Sequence, residues 1–554
     1  MSSGFAPRAE PPPGELGGIA RAAAIVGLGN VASRVMGMAR EIVKADLFGA
    51  TGQVSAFEVA AIVPTMLYDL IVGGMVSSAL VPVFSDYAAP ERRDELWRLV
   101  SIVIGLVVGV LALVVLLVEL FAPQVAWLIS GGLQPESLAL ATALLRVTVP
   151  AVIFLNISGI LAGALYALKR FSLPAFTAAI FNAGIVVTAL LLAGRLGIGA
   201  LAAGLLAGAV LQVALQLPGL LQYRRDMQRL YGPRQIGAPF LLTLASILRH
   251  PGLRRIGLLY VPIVLGLVVD MVSRTLSYNL ASRTGDASIS LMRYATTLTH
   301  FPLGLVATAV SVAILPSLSR QAGALAEGPG GRDEFLGTLA HGLRLVLVLI
   351  IPATVGLFAL AQPIVRLIFE HGDFLPPDTV ATVGVLRLYL LGVIWAAIDQ
   401  PLIFAFYARK DTWRPALVGV AGVGLYLAAA FAPTFVRTMR LDDLILANSI
   451  QLTGHALIML YLLRRGMGGL AGLGVGRTAL KAGLASLGLA GGALGGVWAI
   501  SAIGAPGGLA GEALLVAVPG AIGLAAYAGL IVVLDVPEVR ALFKAVRARV
   551  WRKG

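Results

Sequence analysis

The chain has no cysteine among its 554 residues, which excludes a disulfide framework and any thiolate metal site. Charge is also scarce, since Asp, Glu, Lys and Arg together make up 13% of the residues. A typical soluble domain carries about a quarter of its residues as charged side chains. Hydrophobic residues reach 58% instead, which excludes the ordinary soluble classes and leaves a membrane protein.

Motifs of hydrolases and nucleotide-driven pumps are missing too. The sequence contains no HExxH, Walker A or GxSxG pattern, and the glycine-rich stretch Gly466–Gly476 is best interpreted as a loop. We therefore expect a transporter rather than an enzyme, with no cofactor. Its energy would come from the membrane potential or an ion gradient, where one charge crossing 100 mV is worth about 2.3 kcal/mol.

Long apolar runs fill the chain. Leu99–Val118, Phe171–Gly194 and Ala513–Leu534 each reach the roughly 20 residues that a helix needs to cross a bilayer. Backbone groups in lipid must be satisfied internally, so these runs predict an all-α protein. Fourteen transmembrane helices are expected, at residues 19–45, 55–85, 99–121, 138–168, 171–194, 197–222, 256–281, 287–319, 335–361, 377–408, 412–433, 443–463, 478–501 and 509–534.

The net charge of +14 is best explained by topology. Basic residues concentrate in alternate connections between these helices, so the positive-inside rule predicts that both termini are cytoplasmic. This distribution favours anionic lipid headgroups over nucleic acid as the contact of the basic surface. Residues 1–18 are expected to form a disordered cytoplasmic tail, and residues 537–554 a basic one.

An internal repeat divides the chain. Tyr166-Ala167-Leu168-Lys169 is echoed by Tyr407-Ala408-Arg409-Lys410, a displacement of 241 residues, and similar echoes follow Pro123 and Pro363 at 240. The repeat predicts two pseudo-symmetric six-helix lobes, residues 19–222 and 256–465, around a central cavity. An amphipathic linker at 223–255 would join them, and residues 466–536 would add two helices with a possible lipid-tail groove.

Charged residues inside these helices are the candidate functional groups, because charge in hydrocarbon is costly and usually lines a pathway. Arginine holds phosphate oxygens bidentately and stays protonated, so deep arginines suggest an anionic, phosphate-bearing substrate. The candidates are Arg34, Arg40, Glu41, Glu58, Asp270 and Arg274. A second set of cations is expected to reach an interface or a carboxylate instead: Lys44, Arg146, Arg293, Arg344 and Arg387.

Several motifs resemble the MurJ (MviN) family of lipid II flippases across residues 20–465. They include Ser33-Arg34-Val35-Met36-Gly37-Met38-Ala39-Arg40-Glu41, Phe301-Pro302-Leu303-Gly304 and Phe406-Tyr407-Ala408-Arg409-Lys410-Asp411-Thr412. The resemblance implies a monomeric flippase in the bacterial plasma membrane that moves an undecaprenyl-diphosphate-linked saccharide by alternating access. It also implies that Arg34 and Arg40 correspond to the cavity-facing arginines of the family's first helix.

The sequence departs from the family pattern in helices 2 and 8. Ser55 stands where the family has an acidic residue, Thr296-Thr297 where it has Asp-Arg, and His300 where it has Glu. One hypothesis is that Arg274, Glu58 and Asp270 supply relocated charges. Two alternatives stay open: a carrier of another lipid-linked oligosaccharide or an amphipathic compound, and a transport-inactive paralogue that acts as a scaffold for envelope assembly.

Overall fold

The computed structural model describes residues 13–231, 251–324, 329–504, 507–536 and 538–539, and within these ranges every regular element is a helix. The predicted all-α class is confirmed. The first half of the chain forms α1 (Pro13–Phe48), α2 (Gly52–Tyr68), α3 (Val81–Asp86), α4 (Arg93–Leu120), α5 (Ala122–Ser130), α6 (Pro135–Thr148), α7 (Ala151–Ala167), α8 (Ser172–Ala175), α9 (Thr177–Leu196) and α10 (Gly199–Tyr231).

The second half continues with ten helices. They are α11 (Pro251–Ser282), α12 (Ser288–Pro302), α13 (Thr308–Ala324), α14 (Pro329–Ala359), α15 (Ala361–Phe369), α16 (Pro376–Ala408), α17 (Trp413–Phe431), α18 (Leu441–Met467), α19 (Val475–Ile503) and α20 (Leu509–Val533). Three π-helical segments interrupt the pattern, at Asp69–Gly73, Val76–Leu80 and Leu303–Ala307.

The expected count of fourteen spans is not confirmed. Among the described residues, 11 helices are long and apolar enough to cross a membrane, or 12 if the bent pair α6 and α7 forms one span. The two helices that would complete the expected set, α1 and α11, have 36 and 32 residues but do not belong to this group. Each of the fourteen predicted segments nevertheless overlaps a helix of the structure.

Contacts divide the chain into two units, the first being residues 1–43, 59–126 and 139–268. The second membrane span, Gly52–Asp86, packs against α4 and α7. Phe84, Leu96 and Ile160 are fully buried in this core. Helices α9 and α10 approach so closely that a Cβ on Gly184 would lie 2.7 Å from Gly208 Cα. Lipid tails are as apolar as leucine, so small residues that allow such contact are what hold membrane helices together.

The second unit comprises residues 44–58, 127–138 and 269–554. Its core is built from α13, α14, α16 and α18, with Phe335, Phe406 and Met459 buried. Two segments of this unit, 44–58 and 127–138, come from the first half of the chain. The end of α1 and the start of α2 therefore pack within the unit that holds most of the second repeat.

The two sequence repeats also share local geometry. Lys169 and Lys410, the matching lysines of the repeat, both have left-handed backbone angles, with φ of 58° and 61°. Helices α5 and α15 begin beside Pro123 and Pro363, and each has nine residues. Left-handed conformations are uncommon for residues other than glycine. Their recurrence at matching positions supports the duplication on grounds independent of sequence identity.

Several predicted boundaries differ from the structure. The expected helix 138–168 is two helices, α6 and α7, bent by 42° where Pro150 interrupts the backbone hydrogen bonds. Helix α1 begins at Pro13, inside the tail expected at residues 1–18. Helix α10 continues to Tyr231, inside the expected linker. The apolar stretch of that linker, residues 236–248, and residues 540–554 of the basic tail lie outside the described residues.

Candidate functional site

The candidate site of the first unit lies on the last turns of α1. The Arg40 Nη2 atom lies 2.6 Å from Glu41 Oε1, and Arg40 Nη1 donates to Asn182 Oδ1 at 3.0 Å. The Glu41 side chain is 1% exposed and that of Arg40 is 18% exposed. A buried carboxylate is thus neutralised by its neighbour in sequence. Part of the Arg40 side chain stays accessible.

Asn182 is a residue that the sequence analysis did not select. It lies on α9, where its Nδ2 donates to Ala178 O at 2.9 Å while its oxygen accepts from Arg40. The facing position on α1 is Gly37, which leaves room for the amide. A signal was present, since Asn182 is an amide inside the uncharged run Phe171–Gly194. Buried amides in membrane helices usually bond a neighbouring helix.

Arg34 lies on the same helix, six residues before Arg40, and is partly buried. At about 100° per residue, six residues place these two arginines on different faces of α1. Arg34 and Glu41, seven residues apart, lie on the same face of the helix. Glu41 pairs with Arg40, because a long guanidinium side chain can bend across to an adjacent position.

A second group of charges lies in the second unit, and we name Lys44, Glu58 and Arg293 the buried triad. Lys44 Nζ donates to Glu58 Oε1, and Arg293 Nε lies 3.5 Å from Glu58 Oε2. The side chains of Lys44 and Glu58 are 1% and 8% exposed, whereas that of Arg293 is 35% exposed. Two cations therefore share one carboxylate.

The Tyr294 ring completes the surroundings of the buried triad. Lys44 Nζ lies 5.0 Å from the ring centroid, within the range of a cation–π interaction. The Tyr294 hydroxyl donates to Gly49 O at 2.9 Å, in the turn between α1 and α2. The ring itself packs against Phe369 and Phe374. Lys44 is thus held by a carboxylate and the face of an aromatic ring.

The buried triad lies next to the positions where the family pattern is lost. Ser55, in place of an acidic residue, accepts a hydrogen bond from Ser290 N at 3.2 Å, so helices α2 and α12 meet there without charge. Glu58 is three residues after Ser55, and Arg293 is three before Thr296. The charged contact between α2 and α12 therefore lies about one turn from the contact of Ser55 with Ser290. Sequence analysis selected Glu58 but not its two partners.

Asp270 and Arg274, the other two residues of the relocation hypothesis, form a pair of their own. They pair with each other on α11 across four residues, at 2.8 Å between Arg274 Nη2 and Asp270 Oδ2. Their side chains are 53% and 45% exposed. Glu58 pairs with Lys44 and Arg293. That these three residues supply relocated charges stays a prediction.

The cations expected to find an interface or a carboxylate mostly find a carboxylate. Arg344 Nε lies 2.6 Å from Glu538 Oε1, and Arg146 Nε lies 4.0 Å from Glu119. Arg387 lies over the Phe358 ring, 5.4 Å from its centroid. Within the described ranges, no three His, Cys, Asp or Glu side chains are grouped so that they could hold a metal ion.

The whole chain was compared with known protein families, and one family model matches it. A model of the family described as "Lipid II flippase MurJ" matches residues 44–509. The chain is 30% identical over 392 residues to a Lipid II flippase MurJ of Burkholderia cenocepacia, covering 70% of this chain and 73% of that protein.

Solved structures agree at the level of the fold. A structure described as a lipid II flippase MurJ in an inward closed conformation superposes with a TM-score of 0.73 at 23% identity, covering 92% of this chain and 98% of that one. A multidrug resistance MATE family transporter in an inward-facing conformation gives a TM-score of 0.63 at 12% identity, covering 79% of this chain and 94% of that one.

Proposed function

This chain belongs to the lipid II flippase MurJ family, and we propose on that basis that it moves lipid-linked peptidoglycan precursor outward across the membrane. The observation that carries the proposal is the family match over residues 44–509, which includes parts of both units. The chain is a multi-pass protein of the bacterial inner membrane and a transporter. Its substrate is lipid-linked, and membrane lipids surround it.

We propose that the diphosphate of the substrate is held by Arg34 and Arg40. A guanidinium has five N–H donors, and Arg40 uses one for Asn182 and one for Glu41. The remaining donors and the accessible part of the side chain suit a phosphate oxygen. Glu41 would then set the strength of binding, because its carboxylate competes with the anion for Arg40.

Alternating access gives the buried triad a mechanical role in this proposal. Lys44 and Glu58 belong to the first sequence repeat and Arg293 to the second. All three side chains lie within the second unit, so the triad would tie the end of α1 and the start of α2 to α12 and move with that unit as one piece.

The orientation and energy source follow from charge. With both termini cytoplasmic, as the distribution of basic residues predicts, an anionic headgroup moves outward toward the positive side of the membrane. Each negative charge moved gains about 2.3 kcal/mol per 100 mV. The membrane potential could therefore drive transport by a single chain without a nucleotide. Because the membrane potential drives negative charge outward, it favours export of an anionic substrate over a cationic compound.

The test is complementation of a bacterial strain depleted of its own lipid II flippase. Wild type should restore growth, Arg40→Ala should not, and Arg146→Ala should behave as wild type, because Arg146 is 53% exposed and only 4.0 Å from its carboxylate. Immunoblots of membranes verify equal levels. A wild-type chain that is inserted at normal levels yet restores no growth, and moves no lipid II in proteoliposomes, would favour the scaffold role.

A further inference from the structure

A second titratable group lies inside the second unit and takes no part in the contacts described so far. His455 on α18 and Asp399 on α16 approach each other, with 2.8 Å between His455 Nδ1 and Asp399 Oδ2. His455 is 12 residues from the nearer end of its helix, or about 18 Å along the axis. Asp399 is nine residues from the end of α16. Both side chains therefore lie well inside apolar spans.

The two atoms are within ion-pair distance, and within the described residues His455 Nδ1 makes no hydrogen bond of regular geometry. Nδ1 and a carboxylate oxygen both carry lone pairs, and at 2.8 Å they repel unless at least one of them bears a proton. With that one proton the pair has a charge of −1. A second proton, added at Nε2, makes the ring an imidazolium and brings the pair to zero.

The hydrogen bonding of this pair is incomplete within the described residues. Asp399 Oδ1 is fully buried and has no hydrogen-bond partner within the described residues. The two side chains are 13% and 15% exposed, so little water can compensate. An unsatisfied buried acceptor is costly. A purely structural link between helices would be expected to satisfy both oxygens.

Within the described residues, the charged groups of the neighbouring helices form no bond or ion pair with Asp399 or His455. The charged or titratable side chains away from the terminal turns of α12, α14 and α17 are Arg293, Tyr294, His300, His341, Arg344 and Tyr426. Within the described part of the chain, none of these bonds to or pairs with Asp399 or His455. On α16 itself the Tyr407 hydroxyl interacts electrostatically with Asp399. Gln451 is one turn before His455, and Gly422 of α17 lies beside both.

We propose that Asp399 and His455 form a proton-binding site, and that its loading and unloading couples this transporter to a proton gradient. The coupling part rests on the proposed function, whereas proton binding does not. In this scheme a proton enters from the outer side to Nε2, removes the net negative charge of the pair, and leaves on the inner side during the return of the empty carrier. Histidine is suited to this, because it is the side chain that ordinarily changes charge near neutral pH.

Proton binding can be measured directly in the full-length protein in lipid bilayers. Solid-state NMR of protein labelled with ¹³C,¹⁵N-histidine would be recorded at pH 5.5 and pH 8. His455→Gln identifies the relevant ring among the five histidines by subtraction. We expect that ring to be doubly protonated at pH 5.5 and neutral at pH 8, and Asp399→Asn to lose the doubly protonated signal. A ring that stays in one state, or that titrates identically in Asp399→Asn, would overturn the site.

Coupling is tested by lipid II transport in proteoliposomes with and without an imposed pH gradient. Wild type should accelerate several-fold with an acidic outer side, and Asp399→Asn and His455→Gln should lose that acceleration. The matched control is His341→Gln, an exposed histidine on α14, which should keep it. Equal acceleration in all variants rejects coupling through this pair. Absence of any wild-type transport would instead reject the proposed function, and the NMR result would still decide whether the proton site exists.

Discussion

Two cations four residues apart on α1 have different environments. Lys44 is enclosed in the second unit, bonded to Glu58 and covered by the Tyr294 ring, with 1% of its side chain exposed. Arg40 lies in the first unit with 18% of its side chain exposed, braced by Glu41 and Asn182. The two cations thus differ in how far their side chains are buried. On the proposal above, Lys44 is a structural tie and Arg40 is a ligand group.

The largest effect on stability is expected when the carboxylate of the buried triad is removed. Glu58→Gln removes the carboxylate that Lys44 and Arg293 share, and loss of one partner of a buried pair costs about 3–5 kcal/mol. We expect a large fall in the thermal unfolding midpoint of the purified protein. The matched control is Glu95→Gln, whose pair with Arg92 is about half exposed and worth less than about 1 kcal/mol. Equal midpoints for the two variants would contradict the structural role of the triad.

The next effect concerns function rather than stability. Arg40→Ala should lower lipid II transport in proteoliposomes by about tenfold to a hundredfold, as expected when roughly 1.4–2.8 kcal/mol of phosphate binding is lost. Arg40→Lys should recover part of the rate, because lysine keeps the charge but not the bidentate geometry. Because Arg40→Ala also removes a cation that is paired with the buried Glu41, the variant Arg40→Ala/Glu41→Gln should restore the unfolding midpoint but not transport. Recovery of transport in that double variant would count against a ligand role.

Asn182→Ala tests whether Arg40 must be held in place. The substitution removes one hydrogen bond to a charged group, worth about 1.5–3 kcal/mol, and leaves the charges unchanged. We expect transport to fall less than in Arg40→Ala, through a weaker apparent affinity for lipid II. Asn156→Ala on α7 is a suitable control for loss of a buried amide, since its Nδ2 bonds its own helix. A similar effect of both variants would indicate general destabilisation.

The smallest effect on stability is expected at Asp270 and Arg274. Their pair is about half exposed, so Arg274→Ala should change the free energy of unfolding by less than about 1 kcal/mol. If α11 lines the substrate path, transport should nevertheless decrease. The measurement is the initial rate of lipid II movement beside Arg283→Ala, a basic residue at the end of the same segment. Undiminished transport in Arg274→Ala would remove this residue from the site.

Much of the helical architecture was predictable because it depends on long uninterrupted runs of apolar residues. The break between α6 and α7 was visible as Pro150 and was missed because apolar content alone was weighed. The π-helical segments had no compositional signal, since a wide turn depends on packing between helices. The partners of Glu58 were also beyond sequence reasoning. Lys44 and Arg293 come from α1 and α12, and only folding shows that both meet one carboxylate.

Two π-helical segments, Asp69–Gly73 and Val76–Leu80, lie in the second membrane span, Gly52–Asp86. They affect how many residues this span can hold. A π turn accommodates one residue more than an α turn. Deletion of a single residue within Asp69–Gly73 could therefore convert that turn to α geometry and leave both flanking faces in register. The same deletion in the uninterrupted α4 would rotate every following side chain by about 100°. Relatives that differ by one residue should therefore place their gaps in the second span, and an alignment can be corrected accordingly.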